Sequence, residues 1–212
     1  MKLERKNLYL YAVTDRDLLN GRSLEQAVEQ AILGGAGIVQ LREKSLSEDE
    51  FIEEAIKIKA VTQKYGVPLI INDNIDVCLK SGADGVHLGQ KDETCAYARK
   101  ALGDNAIIGV SAKTVQQALA AEAMGADYLG VGAAFGSSTK KDAVGIDKRL
   151  YGEITSAVKI PVVAIGGITA ENMGLLSNSG VWGAAVVSAL FGKENIREAA
   201  EILRNLSEMT FK

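Results

Sequence analysis

The chain has 212 residues and a formal net charge of −3, with 24 basic side chains against 27 acidic ones. That length suits one large domain or two small ones, and the charge excludes a global basic field that would draw nucleic acid or anionic lipid. No apolar run approaches the roughly 20 residues of a membrane span, and the first residues lack the apolar core of a signal peptide. Cys78 and Cys95 are spaced for neither zinc nor a redox motif, so a reducing cytoplasm is the expected compartment.

Short apolar strands and helical stretches alternate along the chain. Residues 8–13 read as the first strand, and Ser23 is placed to cap a helix opening at Leu24. The second strand, 37–42, leads into a charged amphipathic helix near 47–65. Further strands are expected at 68–72, 85–88, 106–110, 128–132, 161–165 and 183–187, with helical patterns between them, notably 115–124 and 196–206. Such alternation argues for parallel pairing with helices as crossovers.

A weak repeat marks the joints. Gly34-Gly35-Ala36-Gly37, Ser81-Gly82-Ala83-Asp84-Gly85 and Met124-Gly125-Ala126-Asp127 each end a helix and enter a strand, and Ser179-Gly180-Val181-Trp182-Gly183 is a degenerate fourth copy. Glycine there supplies a left-handed helix stop. Eight strands without a composition break predict an α/β fold, a single-domain (β/α)8 TIM barrel over residues 1–212. The alternative is a doubly wound open sheet, but its Gly-rich turn after the first strand is missing, since Thr14-Asp15-Arg16-Asp17 stands there.

Function is most legible at the second strand. Side chains alternate between the faces of a strand, so Val39 and Leu41 share one face while Gln40, Arg42 and Lys44 share the other. An amide, a guanidinium and an ammonium sent the same way expect an anion. The alternative is an edge strand with a solvated polar face.

In a barrel the chemistry gathers at the C-terminal strand ends. Those positions hold Asn72-Asp73, Gly89-Gln90-Lys91-Asp92, Ser111, the Gly136-Ser137-Ser138-Thr139-Lys140-Lys141 loop, Gly166-Gly167 and Val187-Ser188. Asp73 and Asp92 lie in consecutive loops and suit a hard cation such as Mg²⁺, unless each merely caps the helix that follows. The loops at Gly166-Gly167 and Val187-Ser188 suit a phosphate, with plain tight turns as the alternative. The 136–141 loop lacks the Gly-Lys-Ser/Thr order of a nucleotide loop and reads as a hydroxyl-and-lysine loop over a bound anion. His87, Cys78 and Cys95 are expected to be packing or surface residues, and with the one histidine expected to be buried inside a strand no Ser/His/Asp set can be assembled. Two anion sites, one metal and no evident general base suit departure of a diphosphate and attack by a second, phosphorylated molecule.

These motifs in combination, spread from about Leu8 to Leu206, resemble the thiamine phosphate synthase family: Gln40-Leu41-Arg42-Glu43-Lys44, Asn72-Asp73, Gly89-Gln90-x-Asp92, Ser111, the Ser-Thr-Lys loop, Ile165-Gly166-Gly167 and Val187-Ser188. The resemblance implies a barrel that joins hydroxymethylpyrimidine diphosphate to a thiazole phosphate, giving thiamine phosphate and pyrophosphate. It implies that Gln40, Leu41, Arg42, Glu43, Lys44, Asn72 and Ser111 hold the pyrimidine diphosphate, and that Asp73 and Asp92 hold Mg²⁺. Lys140 would meet the diphosphate, Ser137, Ser138 and Thr139 the thiazole, and Gly167, Val187 and Ser188 its phosphate. Arg42, Lys44, Ser111 and Lys140 are the implied catalytic residues. The diphosphate would depart first, leaving a pyrimidine cation for the thiazole nitrogen to capture. Partners are expected to be small molecules, with no nucleic acid or membrane, and the resemblance is compatible with a monomer or a homodimer.

Two departures stand out. Gly136-Ser137 stands where the family often has Pro-Thr; serine keeps a hydroxyl, and loss of the proline is expected to loosen the loop. Lys113 stands where many relatives carry histidine, and the related thiazole tautomerase relies on a histidine near that point and lacks the paired aspartates. A catalytically silent phosphate-binding barrel is a third reading.

Overall fold

The computed structural model describes residues 3–135 and 147–212. Among them, eight parallel strands close into a barrel in chain order: β1 (Leu10–Val13), β2 (Ile38–Leu41), β3 (Leu69–Asn72), β4 (Gly85–Leu88), β5 (Ile107–Ala112), β6 (Tyr128–Gly132), β7 (Val162–Ile165) and β8 (Gly183–Val186). Closure is made by β1 against β8, where Leu10, Tyr11 and Ala12 register with Ala184, Ala185 and Val186. That pairing excludes the open sheet. Around the strands lie α2 (Leu24–Leu33), α3 (Glu48–Lys64), α4 (Ile75–Ser81), α5 (Cys95–Leu102), α6 (Val115–Ala123), α7 (Lys148–Ala157), α8 (Ser188–Phe191) and α9 (Ile196–Thr210), while α1 (Arg5–Leu8) precedes β1. Among the described residues no helix is long and apolar enough to cross a membrane.

Local chemistry explains the helix starts. Ser23, Ser47, Asn74, Thr94, Thr114, Asp147 and Asn195 each accept a backbone N–H two or three residues on. A cap of this kind is worth about 1 kcal/mol. At the other ends of α2, α4 and α6, Gly35, Gly82 and Gly125 take positive φ, as does Gly180 ahead of β8.

Strand ends differ from the sequence reading mostly by a single residue, and two differences bear on the barrel interior. The first strand begins at Leu10 because Leu8 closes α1, whose start is fixed by Asn7 Oδ1 accepting from the Glu4 N–H at 2.9 Å. Leu8 is fully buried in the lumen cluster with Tyr11, Ile38, Ile70 and Ile107, so plugging the barrel outweighs extending the sheet. The fifth strand runs on to Ala112, which carries Ser111 into the sheet.

The core forms two shells. Val39, Leu41, Leu69, Ile71, Val86 and Leu88 pack outward against the helices, while Tyr11, Ile38, Ile70, Ile107, Tyr128 and Val163 fill the lumen. Glycines make room for the large rings. A Cβ at Gly109 would fall inside the contact distance of the Tyr128 ring, its hydroxyl and His87 Nδ1. Gly109→Ala should therefore cost about 1–3 kcal/mol by overpacking. Urea unfolding measures it, and an unshifted midpoint would show that the Tyr128 ring yields without strain.

Candidate active site

The C-terminal ends of the strands surround a cavity of about 510 Å³. Its lining includes Gln40, Arg42, Asn72, Asp73, Asp92, Ser111, Gly167, Val187 and Ser188, all singled out in the sequence. They come from β2 to β5 on one side and from the loops after β7 and β8 on the other. The alternation read for the second strand fits this arrangement, with Gln40 and Arg42 on the cavity side and Val39 and Leu41 among the outward-packed residues.

Three of the singled-out residues are placed elsewhere. Among the described residues lining the cavity, Leu41, Glu43 and Lys44 do not appear. Leu41 is fully buried against the helices. Glu43 pairs with Arg16 at 3.0 Å, and Lys44 Nζ lies 2.8 Å from Asp15 Oδ2 and 3.5 Å from Asp17 Oδ2. The hydrogen bonds that Arg16 donates to the Glu43 carboxylate are the main reason its pKa is raised. Ser137, Ser138, Thr139 and Lys140 lie outside the described residues.

Both carboxylates of the expected cation site are held by local bonds. Asp73 has φ 65, a left-handed conformation that costs a residue with a Cβ about 1–2 kcal/mol. Its N–H donates to the His87 carbonyl at 2.8 Å, and Asn72 Nδ2 donates to its Oδ2 at 2.6 Å. Asp92 Oδ2 accepts from the Gly89 N–H at 2.6 Å. Among the described residues no group of three or more His, Cys, Asp or Glu side chains is arranged to hold a metal, so the pair would need oxygens from elsewhere.

On the far side, Gly166 and Gly167 have φ 102 and 65. A Cβ on Gly166 would collide with Ala133, where the exits of β6 and β7 are tied by the Ala134 N–H to the Ile165 carbonyl at 2.9 Å. Asn172 Nδ2 holds the Gly167 carbonyl at 2.8 Å, so the loop is fixed with backbone toward the cavity.

The floor carries residues that sequence reasoning missed. His87, expected to be a packing or surface residue, lines the cavity with Tyr11 and Tyr128. Gln40 Nε2 donates to the Tyr11 hydroxyl at 2.8 Å, which lies 2.7 Å from the Tyr128 hydroxyl. His87 Nδ1 is 3.0 Å from that hydroxyl and its Nε2 is 3.0 Å from Ser111 Oγ. Burial raises the pKa of both tyrosines, so they stay protonated at neutral pH. The missed signal was alternation: Tyr128, Gly130 and Gly132 share a strand face, as do His87 and Gly85.

The family model described as thiamine monophosphate synthase matches residues 10–190. The chain belongs to this family. It is 52% identical over 194 residues to a thiamine-phosphate synthase of Ruminiclostridium cellulolyticum, covering 92% of each chain. With the corresponding protein of Clostridium tetani it shares 50% over 203 residues, 95% of this chain and 97% of that one. A solved structure of thiamine phosphate pyrophosphorylase from Pyrococcus furiosus superposes with a TM-score of 0.89 at 38% identity, covering 98% of this chain and 99% of that chain.

Cys78 and Cys95 sit on α4 and α5 as expected, both buried. Burial pushes the Cys78 thiol up to about 12 and also raises Cys95. Only the thiolate attacks, so reactivity should be minimal near neutrality and rise with pH. A chromogenic disulfide at about pH 8 should label the native protein far more slowly than the urea-unfolded chain. Equal rates would show that the thiols are accessible.

Proposed function

We propose that this chain is a thiamine-phosphate synthase, a transferase that joins hydroxymethylpyrimidine diphosphate to a thiazole phosphate, with or without its extra carboxylate, and releases pyrophosphate. One observation carries the reading: a cationic and carboxylate wall from β2 to β5 faces a glycine-rich backbone wall from β7 and β8 across one cavity. The first wall suits a diphosphate with a metal, and the second suits a monophosphate.

Asp73 and Asp92 fit Mg²⁺ in the chemistry of their donors, two carboxylates with the remaining positions left to water and phosphate oxygens. When bound, the ion would offset charge on the departing diphosphate. Arg42, on the cavity side, offers that group its planar fork. Gln40, Asn72 and Ser111 are assigned to the pyrimidine substrate, and Gly167, Val187 and Ser188 to the thiazole phosphate. Lys44 reaches the diphosphate only by exchanging Asp15 for a phosphate oxygen. Leu41 and Glu43 support the site from behind, one anchoring β2 to the helices and the other neutralising Arg16. Lys140 and the hydroxyls of Ser137, Ser138 and Thr139 complete the assignment by family position.

Catalysis in this arrangement is positional and electrostatic. Each tenfold in rate requires about 1.4 kcal/mol of transition-state stabilisation, so several fixed charges near the leaving oxygens suffice for large factors. At position 113 the cavity is lined by a lysine and not the histidine on which the related tautomerase relies, which favours the synthase. We place the enzyme in the cytoplasm, where its buried free thiols suit a reducing environment.

The deciding assay mixes purified protein, both substrates and Mg²⁺, with and without EDTA. Thiamine phosphate that disappears with EDTA supports the reading, and no product from folded protein overturns it. Asp92→Ala should lose metal-dependent turnover with its circular dichroism unchanged; full activity would remove the metal assignment. Arg42→Ala should raise KM for the pyrimidine diphosphate about tenfold or more, as loss of a charged hydrogen bond implies, with a smaller effect on the thiazole phosphate. Equal effects would put Arg42 at the wrong substrate.

A further inference from the structure

The four hydrogen bonds across the barrel floor form one unbroken chain, Gln40–Tyr11–Tyr128–His87–Ser111, running from β2 to β5 beneath the cavity. An amide nitrogen can only donate, and each phenol has a single proton. With Gln40 Nε2 donating to Tyr11, the arrangement that gives every proton an acceptor sends the Tyr11 proton to the Tyr128 oxygen and the Tyr128 proton to His87 Nδ1. In that arrangement the imidazole carries its proton on Nε2 and donates it to Ser111 Oγ, 3.0 Å away.

We infer that this chain has a fixed direction, locking His87 as the neutral Nε2–H tautomer and turning the Ser111 hydroxyl proton toward the cavity. Tyr11, Tyr128 and His87 are positioning residues, acting on a ligand only through Gln40 and Ser111. The two ends are coupled. With its nitrogen bound to Tyr11, Gln40 keeps its carbonyl oxygen as an acceptor, while Ser111 is a donor. The site therefore selects a heteroaromatic ring with a donor on the β2 side and an acceptor on the β5 side. A ring of reversed polarity would require all the protons of the chain to reverse together.

Two features keep the direction fixed. Neither tyrosine ionises near neutrality, because burial raises both pKa values. The rings are also locked in place: Tyr128 meets Tyr11 edge-on at 5.8 Å between centroids, and a Cβ at Gly109 would already collide with Tyr128 and His87. The identity of the ring rests on the synthase reading, but the direction of the chain does not.

The test uses the fact that His87 is the sole histidine in the sequence. Ligand-free protein labelled with ¹⁵N-histidine gives one set of imidazole signals in a long-range ¹H–¹⁵N correlation spectrum. A protonated Nε2 with a bare Nδ1 is expected; a protonated Nδ1, or both nitrogens protonated, overturns the inference. Gln40→Glu, examined at about pH 8 where a carboxylate can only accept, should invert the tautomer three hydrogen bonds away. Adding Tyr11→Phe should disconnect the carboxylate and restore Nε2–H. An uninverted tautomer in folded Gln40→Glu overturns the coupling. Should that variant fail to fold, Tyr128→Phe takes its place: loss of the donor to Nδ1 should yield a mixture of tautomers, and an unchanged spectrum overturns the chain. A wrong tautomer leaves the synthase assay untouched, and an inactive enzyme leaves the tautomer result standing, so the two failures are distinct.

Discussion

A closed parallel barrel must fill its own lumen, and in this chain the Tyr128 side chain is what the filling depends on. It is fully buried, edge-on to Tyr11 and tilted against His87 with ring centroids 5.5 Å apart. Below it the lumen is apolar, with Ile38, Ile70 and Ile107; above it the cavity begins. A phenol at that level must have its hydroxyl paired, because leaving a buried polar group unpaired costs about 1–3 kcal/mol. The pairing with Tyr11 and His87 meets that need and brings polar atoms from β1, β2, β4 and β5 into one layer. The floor of the site is thus also the upper layer of the core.

Charge at the rim is sorted by a similar economy of partners. Three cations lie close in the loops after β1 and β2: Arg16, Arg42 and Lys44. Arg16 is held by Glu43 and Glu54, and Lys44 by Asp15 and Asp17. Glu43 and Asp15 are almost fully buried, so their charges would be costly without those partners. Arg42 is the cation of the three that lines the cavity, and its backbone N–H is fixed by Thr14 Oγ1 at 3.0 Å. The ion pairs therefore do more than decorate the surface, since they direct the positive field of a basic stretch to one position.

The architecture was legible because its signals are local. Apolar runs of four to six residues, hydroxyl or amide caps and glycine helix stops are all written within a few positions. That Gln40, Arg42, Asp73, Asp92 and Ser111 would line one cavity could be read because a barrel gathers its strand ends at one rim, whatever the partners across the barrel. What could not be read depends on contacts between distant strands. Tyr11 and Tyr128 are 117 positions apart, and nothing near either announces the other. His87 looked like a packing residue because a lone histidine inside an apolar strand usually is one. Its role becomes visible only when Gly109 and Gly130 are seen to open the space beside it. The resting place of Lys44 was hidden for another reason: alternation gives the face of a strand, but beyond Leu41 the strand has ended, and the ammonium sits against Asp15.

The environment of His87 also explains why a site with a histidine works without a mobile base. A general base needs a nitrogen lone pair that can reach the proton it removes. Here Nδ1 is set against the Tyr128 phenol and Nε2 against Ser111 Oγ, both at 3.0 Å. An imidazole engaged on both sides transmits polarity and does not shuttle protons. That is the economical solution for a reaction in which an anion leaves and a neutral ring nitrogen attacks, because the bond-forming step removes no proton. What the site must supply is charge stabilisation on one side and a ring held in one orientation on the other. In the proposed reading the rim, with Arg42 and the two aspartates, is assigned the first task and the barrel floor the second.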